Sequence, residues 1–336
     1  MTRDLTKPRI YITQPVAKSA MDRLRAVADV EFNPDPLRIM DKESLCAAVA
    51  NSDILFCLLH DRIDRDVIAA NPNLRAIASM KITPSDIDVA EATSRRIPVT
   101  VIPAMVTVTE ATADIHFALL LAVARRVVEG DRLLRQGIFP GSQSSYLEAA
   151  MVSGKVLGLV GGGGRIGRAV ARRARGFGMK CLYWGPRRRP EAEEQEAGIH
   201  YVGLDQLLAE SDFVSLHTPL NDSTYHQIGA RELALMKPTA FLINTARGAI
   251  VDEPALATAL AENRIAGAGL DVFENEPHVT PALTTMTNTV LTPHLGSAVA
   301  EVRVTMAHVV VDNILALLDG RQPPNCWNPE IYATAT

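Results

Sequence analysis

Cysteine is scarce in this chain, with four among 336 residues: Cys46, Cys57, Cys181 and Cys326. They stand far apart and form neither a C-x-x-C pair nor a zinc-ligand spacing, which argues against a disulfide scaffold and a metal site. Reduced thiols in a cytoplasmic protein are expected. A surplus of positive charge is also missing, since 34 Lys and Arg against 38 Asp and Glu leave a net charge of −4. Sequence-independent nucleic-acid binding draws its affinity from basic residues that neutralise phosphates, so a small-molecule partner is favoured instead. Long hydrophobic runs are absent as well. The polar stretch Met1–Arg9 has no signal-peptide core, and the longest apolar stretch, Phe117–Ala124, is far short of a bilayer span, so no membrane partner is expected.

What is present is apolar material for buried cores, 47% of the residues, in a chain whose length predicts two domains at about 150 residues each. Strand-like runs at Arg9–Thr13, Val30–Phe32, Ile54–Leu59, Leu74–Ala78 and Val99–Ile102 alternate with helical or turn-rich segments, the rhythm of a parallel α/β sheet. Apolar residues then recur at helical spacing from Thr109 to Leu134, opening on Thr109 and Glu110 and ending near Gly137, which predicts one long helix leaving the first domain. After a loop holding Pro140, Gly141 and Ser142–Ser145, a second α/β series runs from Lys155 to about Thr292. The amphipathic stretch Val299–Leu318 has no strand after it and is expected to pack back on the first domain.

Val156–Val160 is a short apolar strand followed by Gly161, Gly162, Gly163, Gly164, Arg165, Ile166 and Gly167, and then by a helical run from Arg168 to Arg175. Strand, glycine loop and helix in this order is the setting of a dinucleotide fingerprint, in which the turn needs positive φ and the backbone must approach a pyrophosphate closely. The fingerprint reads from Gly162, Gly164 and Gly167 or, one residue longer, from Gly161, Gly163 and Gly167. The next strand, Lys180–Trp184, ends where such folds place an acid for the adenosine ribose, but here Gly185 and Pro186 lead into Arg187, Arg188 and Arg189. Losing the carboxylate removes repulsion toward a 2′-phosphate and guanidinium groups pair with it, so NADP(H) is the expected cofactor, with NAD(H) the alternative if the arginines are only solvated.

Three further segments complete a pattern: N-T-A-R-G-A-I-V-D over Asn244–Asp252, L-D-V-F-E-N-E-P over Leu270–Pro277, and T-P-H-L-G-S over Thr292–Ser297. With G-K-V-L-G-L-V and R-I-G-R at the glycine loop, and in this order, the chain resembles the D-2-hydroxyacid dehydrogenases over almost its whole length. The resemblance implies an NADP(H)-dependent oxidoreductase acting on a small anionic 2-keto or 2-hydroxy acid. It implies that His294 is the acid in reduction and the base in oxidation, that Glu276 pairs with it and favours its charged form, with Glu274 the lesser competitor, and that Arg247 binds the substrate. It places Thr112, Thr245, Ala246, Asp271, Ser297 and the run His217, Thr218, Pro219 along the cofactor, beside Arg165 and Ile166 of the fingerprint. Outside the pattern, His116, His200, His226 and His308 read as surface or satisfied core residues.

The sequence departs from the family where relatives carry a segment like G-V-G-x-D-N-I-D, whose backbone N–H groups grip the substrate carboxylate. Here Lys81, Ile82, Thr83, Pro84, Ser85, Asp86, Ile87 and Asp88 stand instead. Thr83 is a poor substitute for glycine and Pro84 restricts it further, so Lys81, Ile82 and Thr83 are expected to rebuild the substrate contact, Lys81 adding a second cation. Phosphite dehydrogenase, a relative, has a lysine one position later, so an NAD-dependent dehydrogenase of another small anion such as phosphite is the alternative enzyme. Transcriptional corepressors built on this fold supply a non-catalytic, nucleotide-sensing alternative.

The expected architecture is therefore α/β, with two doubly wound, Rossmann- or flavodoxin-like domains. Residues 1–105 plus 300–336 form the substrate-binding domain and the inserted residues 106–299 the dinucleotide-binding domain. The resemblance and the apolar helix expected over Thr109–Leu134 imply a homodimer.

Overall fold

The structure is a computed structural model that describes residues 7–142 and 145–333, so Gln143 and Ser144 of the expected loop lie outside the described residues. The chain divides into two compact units, Met1–Met105 with Val299–Thr336, and Val106–Ala298. The second interrupts the first in sequence.

In the first unit β1 (Arg9–Ile12), α1 (Lys18–Val27), β2 (Asp29–Phe32), α2 (Lys42–Ala50), β3 (Ile54–Cys57), α3 (Arg65–Ala69), β4 (Ala76–Ser79), α4 (Val89–Ser94) and β5 (Val99–Thr100) follow one another. The strands make a parallel sheet in the order β2-β1-β3-β4-β5. β3 and β4 are buried at every position, the continuous apolar reading of a strand covered on both faces. Aspartates start the helices: Asp41 accepts from the Ser44 amide, Asp64 from Asp66 and Val67, and Asp88 from Glu91.

In the second unit come α5 (Val106–Ala124), α6 (Val127–Arg135), β6 (Val156–Val160), α7 (Arg165–Ala174), β7 (Lys180–Trp184), α8 (Glu191–Ala197), β8 (Ile199–Tyr201), α9 (Leu204–Glu210) and β9 (Phe213–Leu216). They are followed by α10 (Ala230–Leu235), β10 (Phe241–Asn244), α11 (Glu253–Ala261), β11 (Gly267–Leu270), α12 (Pro281–Thr285) and β12 (Thr289–Leu291). All seven strands are parallel, in the order β12-β11-β10-β9-β6-β7-β8. The order reverses between β6 and β9, the point at which open α/β sheets bind ligands outside their carboxyl ends.

The single helix expected over Thr109–Leu134 is two helices. Arg126 turns left-handed (φ 54°) between α5 and α6, and its guanidinium grips the Glu129 carboxylate through two hydrogen bonds of 2.8 Å each. No glycine or proline announces the break, because a side-chain clamp holds it. Around the uninterrupted apolar run Phe117–Ala124, the wider helical window Thr107–Ala124 is long and apolar enough to cross a membrane by length and composition, yet half of it is buried. Here α5 packs on α7, β10 and β11, and Gly269 of β11 admits it, since a methyl there would lie 3.1 Å from Leu119 Cβ.

The last helix, α13 (Ala300–Leu318), packs on α1 and β4 of the first unit. Buried Asn313 donates to the Val101 carbonyl at 3.1 Å and accepts from the Asn325 amide at 3.1 Å, while Asn328 accepts from the Val99 amide at 2.8 Å. These amides stitch the carboxyl-terminal segment to β5. Asn313→Ala leaves a buried carbonyl and a half-buried amide unpaired, and a loss of about 2–4 kcal/mol in chemical denaturation is expected; a loss within error would show that the stitch is dispensable.

Candidate active site

The functional segments of the second unit all leave the carboxyl ends of its strands: Gly161 after β6, Arg187–Arg189 after β7, His217 after β9, Arg247 after β10, Asp271 after β11 and His294 after β12. The glycine loop shows which glycines sterics require. Gly161 has φ 85°, and a methyl on it would meet the His217 carbonyl carbon at 2.8 Å; one on Gly167 would meet Gly162 Cα at 2.5 Å. Gly161 therefore makes the turn, Gly162 and Gly167 close helix α7 on the strand, and Gly164 is the N-cap of α7. This loop is one residue longer than a G-x-G-x-x-G turn, and the two readings share the steric roles. The α7 N-terminus leaves backbone N–H groups and the positive end of a helix dipole for a pyrophosphate.

Two buried oxygens fit a nicotinamide nucleotide. Thr245 Oγ1, after β10, and Asp271 Oδ2, after β11, have no hydrogen-bond partner among the described residues. Buried polar atoms are seldom left so, and a ribose hydroxyl or a carboxamide would supply what they lack. The other expected cofactor residues differ. Thr112 Oγ1 donates back to the Val108 carbonyl at 2.8 Å, Thr218 Oγ1 donates to Gln227, and the Pro219 carbonyl accepts from Thr224. The Ala246 amide donates to Asn244 Oδ1 at 3.0 Å, and Ser297 is half-buried.

His294 sits in the left-handed region, φ 54°, where its amide donates to the Asp271 carbonyl at 2.9 Å. Its Nδ1 lies 2.9 Å from Glu276 Oε2, while Glu276 Oε1 accepts from the Phe273 amide at 2.9 Å. The carboxylate is thus fixed at one oxygen and presented to the imidazole with the other. Glu274 is engaged elsewhere, by His226 Nε2 at 2.9 Å and the Tyr225 hydroxyl at 3.0 Å. Burial raises the pKa of Asp271, although the Thr292 hydroxyl and Leu295 amide bind its other oxygen at 2.6 and 2.7 Å.

Arg247 is exposed, and among the described residues its guanidinium donates only to its neighbour, the Ala246 carbonyl, at 2.7 Å. It forms no ion pair with Asp252, which caps α11 instead. Sequence reasoning missed Gly248. A methyl there would fall 1.8 Å from the Phe273 carbonyl carbon, so only glycine lets the Arg247 loop press against the backbone that carries Glu276. The motif held the glycine, but its reason is a contact across 25 residues of sequence that no local pattern reveals.

Of the three arginines after β7, all exposed, Arg188 is not available as expected: it is clamped on Glu194 at 2.9 and 2.8 Å. The guanidinium groups of Arg187 and Arg189 have no carboxylate partner among the described residues. In the first unit Lys81 does not face solvent. It is 2% exposed, and its ammonium donates to the Asp61 carbonyl at 3.0 Å and to Asp86 at 2.9 Å, so its charge is matched internally. Ile82 is half-buried and Thr83 exposed, and neither adopts positive φ.

His116 corrects the expectation of a satisfied residue. It is wholly buried on α5, beside His217 at 5.7 Å between ring centroids, and neither ring nitrogen has a partner among the described residues. Burial pushes His116 well below its usual value of 6.5 and His217 down to about 3.

Comparison with known proteins places this site. Residues 117–296 match the family described as "D-isomer specific 2-hydroxyacid dehydrogenase, NAD binding domain". The chain is 45% identical to the glyoxylate reductase of Thermococcus litoralis over 333 residues, covering 98% of this chain and 99% of that protein. Among solved structures, the TT0316 protein of Thermus thermophilus is 41% identical with a TM-score of 0.85, over 95% of this chain and 99% of that one. The NADPH-dependent glyoxylate/hydroxypyruvate reductase of Sinorhizobium meliloti, in complex with citrate, is 31% identical with a TM-score of 0.76, over 95% and 97%. The chain belongs to the D-isomer specific 2-hydroxyacid dehydrogenase family. It is an NAD(P)-dependent oxidoreductase that moves a hydride between nicotinamide and a 2-keto or 2-hydroxy acid.

Buried His116 and half-buried His217 set an acid limit on stability. Both are neutral when folded, whereas the unfolded chain takes up protons below about pH 6.5, so stability is undiminished above that value and falls as pH drops toward 3. The expected slope is roughly 1 kcal/mol per pH unit for each histidine. His116→Leu removes no hydrogen bond and should flatten the decline, measured by denaturation at several pH values; unchanged slopes would show that His116 is not a buried neutral group.

Proposed function

We propose that this enzyme reduces small 2-keto acids, glyoxylate foremost and hydroxypyruvate next, with NADPH as the preferred donor. The observation that carries the chemistry is the His294–Glu276 pair, 2.9 Å apart and fixed at the carboxyl edge of the dinucleotide-type sheet. A bound reduced nicotinamide supplies the hydride. Arg247, exposed and without a carboxylate partner among the described residues, binds the substrate carboxylate and polarises the carbonyl. His294 donates the proton that neutralises the developing alkoxide, and Glu276 keeps the imidazole aimed. Thr245 and Asp271 offer their unpaired oxygens to the nucleotide. In the reverse direction His294 takes the proton from the 2-hydroxyl group.

The substrate follows that of the glyoxylate reductases this chain is similar to, and the preference for NADPH rests on Arg187–Arg189 standing where an acid would select NAD. We also propose a homodimer, on a different footing from the sequence argument: α5 is a core helix of its own unit. The surplus apolar surface lies on and after α6, where Val127 is 55%, Leu134 58% and Phe139 79% exposed. Light scattering tests that assembly.

The reading is tested by steady-state reduction of glyoxylate, hydroxypyruvate, pyruvate and phosphite's oxidation, each with both nicotinamides. Glyoxylate or hydroxypyruvate turnover with kcat/KM at least about tenfold higher for NADPH is expected, the worth of one or two charge-assisted hydrogen bonds. Arg247→Ala is expected to lower kcat/KM at least about a hundredfold. Cofactor binding without turnover of any acid would instead favour a nucleotide sensor, and an NADH preference would overturn the role given to the arginines.

A further inference from the structure

We infer that Arg189, not Arg188, reads the adenosine 2′-phosphate, and that Glu194 and Tyr183 are positioning residues that hold Arg189 in place. The inference rests on the NADPH reading and assigns parts within it. Four observations carry it.

The first is where Arg189 lies. A methyl built on Gly163 would fall 3.1 Å from both Cγ and Nε of Arg189, so this side chain crosses directly over the glycine loop. The loop leads into the N-terminus of α7, the end that attracts the pyrophosphate, and the adenosine ribose of a dinucleotide sits just beyond it, past the end of β7.

The second is the commitment of Arg188. Its Nε and Nη2 make a two-pronged ion pair with Glu194, which is only 6% exposed. The Arg188 guanidinium, helped by the Tyr183 hydroxyl, holds that carboxylate down to about 2. For Arg188 to turn toward a phosphate, it would have to abandon a nearly buried carboxylate beside an incoming dianion, a costly separation. The Arg188–Glu194 pair is neutral as a unit. Arg187 and Arg189 then leave two positive charges for the two negative charges of a phosphate monoester.

The third is the relay through Tyr183. Its buried hydroxyl donates to Glu194 Oε1 at 2.7 Å and accepts from the Arg189 amide at 2.7 Å. Burial and the neighbouring carboxylate push this phenol up to about 12, so the donor proton stays in place. The backbone of residue 189 is thereby tied to the interior of β7 by one hydroxyl, and Glu194 fixes that hydroxyl's direction. The fourth is that Pro186 and Pro190 bracket the three arginines, which lowers the entropy lost when the loop is ordered on a ligand. A carboxylate that cancels one arginine thus serves to aim another.

The test is calorimetry on the intact protein with 2′,5′-ADP and 5′-AMP, two probes that differ only in the 2′-phosphate and need no turnover. Wild type is expected to bind 2′,5′-ADP more tightly. Arg189→Ala should weaken 2′,5′-ADP at least about tenfold and leave 5′-AMP unchanged. Glu194→Gln and Tyr183→Phe should each weaken 2′,5′-ADP by about three- to tenfold, again sparing 5′-AMP, and Arg188→Ala should lose no more than they do. Adding Arg188→Ala to Glu194→Gln should cost little further, because the two act as one unit. If a Glu194 variant does not fold, Tyr183→Phe, which keeps the ring in the core, decides. The inference is overturned if Arg188→Ala gives the largest loss, or if Tyr183→Phe and Glu194→Gln leave the discrimination intact. Equal binding of both probes by wild type overturns the NADPH reading, and this assignment with it; wild-type discrimination that survives Arg189→Ala removes only the assignment.

Discussion

The site depends on one aspartate. Asp271, at the end of β11, accepts the Thr292 hydroxyl and the Leu295 amide with one carboxylate oxygen, and its carbonyl accepts the His294 amide. These three bonds tie the ends of two adjacent strands into a single turn. They also hold His294 in a left-handed conformation that costs a non-glycine residue about 1–3 kcal/mol when nothing compensates it. From that conformation the imidazole meets Glu276, itself anchored by the Phe273 amide. Its second oxygen, buried and without a partner among the described residues, is the one proposed to meet the nucleotide.

Close backbone approach is the second constraint, and it is met by glycine at few positions. Gly161, Gly162 and Gly167 let strand, turn and helix close at the point where the sheet order reverses. Gly248 brings the Arg247 loop against the segment bearing Glu276. The loop of Arg247, at one strand end, thus lies against the segment that carries Glu276, which meets His294 from the strand beyond.

Much of this was legible in the sequence, and for physical reasons. Buried parallel strands read as apolar runs, so β3 at Ile54–Cys57 and β6 at Val156–Val160 stand out. The G-G-G-G-R-I-G loop, the arginine of N-T-A-R-G and the histidine of T-P-H-L-G are short, ordered motifs, and each stands at the end of a strand. What the sequence hid are interactions formed across distance. Arg126 breaks the apolar helical pattern with a clamp on Glu129, although arginine is a good helix former. Arg188 looks like its neighbours until Glu194 is seen to hold it, and nothing local shows that Asp86 and the Asp61 carbonyl take up the Lys81 ammonium. His116 lies within a helical stripe that predicts burial but cannot predict that both ring nitrogens lack a partner among the described residues.

The central claim is that His294, held by Glu276, delivers the proton that accompanies hydride transfer. Its most direct test is single-turnover oxidation of enzyme-bound NADPH by glyoxylate in wild type, His294→Gln and Glu276→Gln, with NADPH affinity measured in parallel. The account predicts that His294→Gln slows the transfer by about 10²–10⁴, the usual worth of a positioned general acid, that Glu276→Gln slows it by less, and that neither changes NADPH affinity more than about threefold. Transfer in His294→Gln at the wild-type rate, with NADPH bound normally, would contradict it and move the proton donor elsewhere in the site.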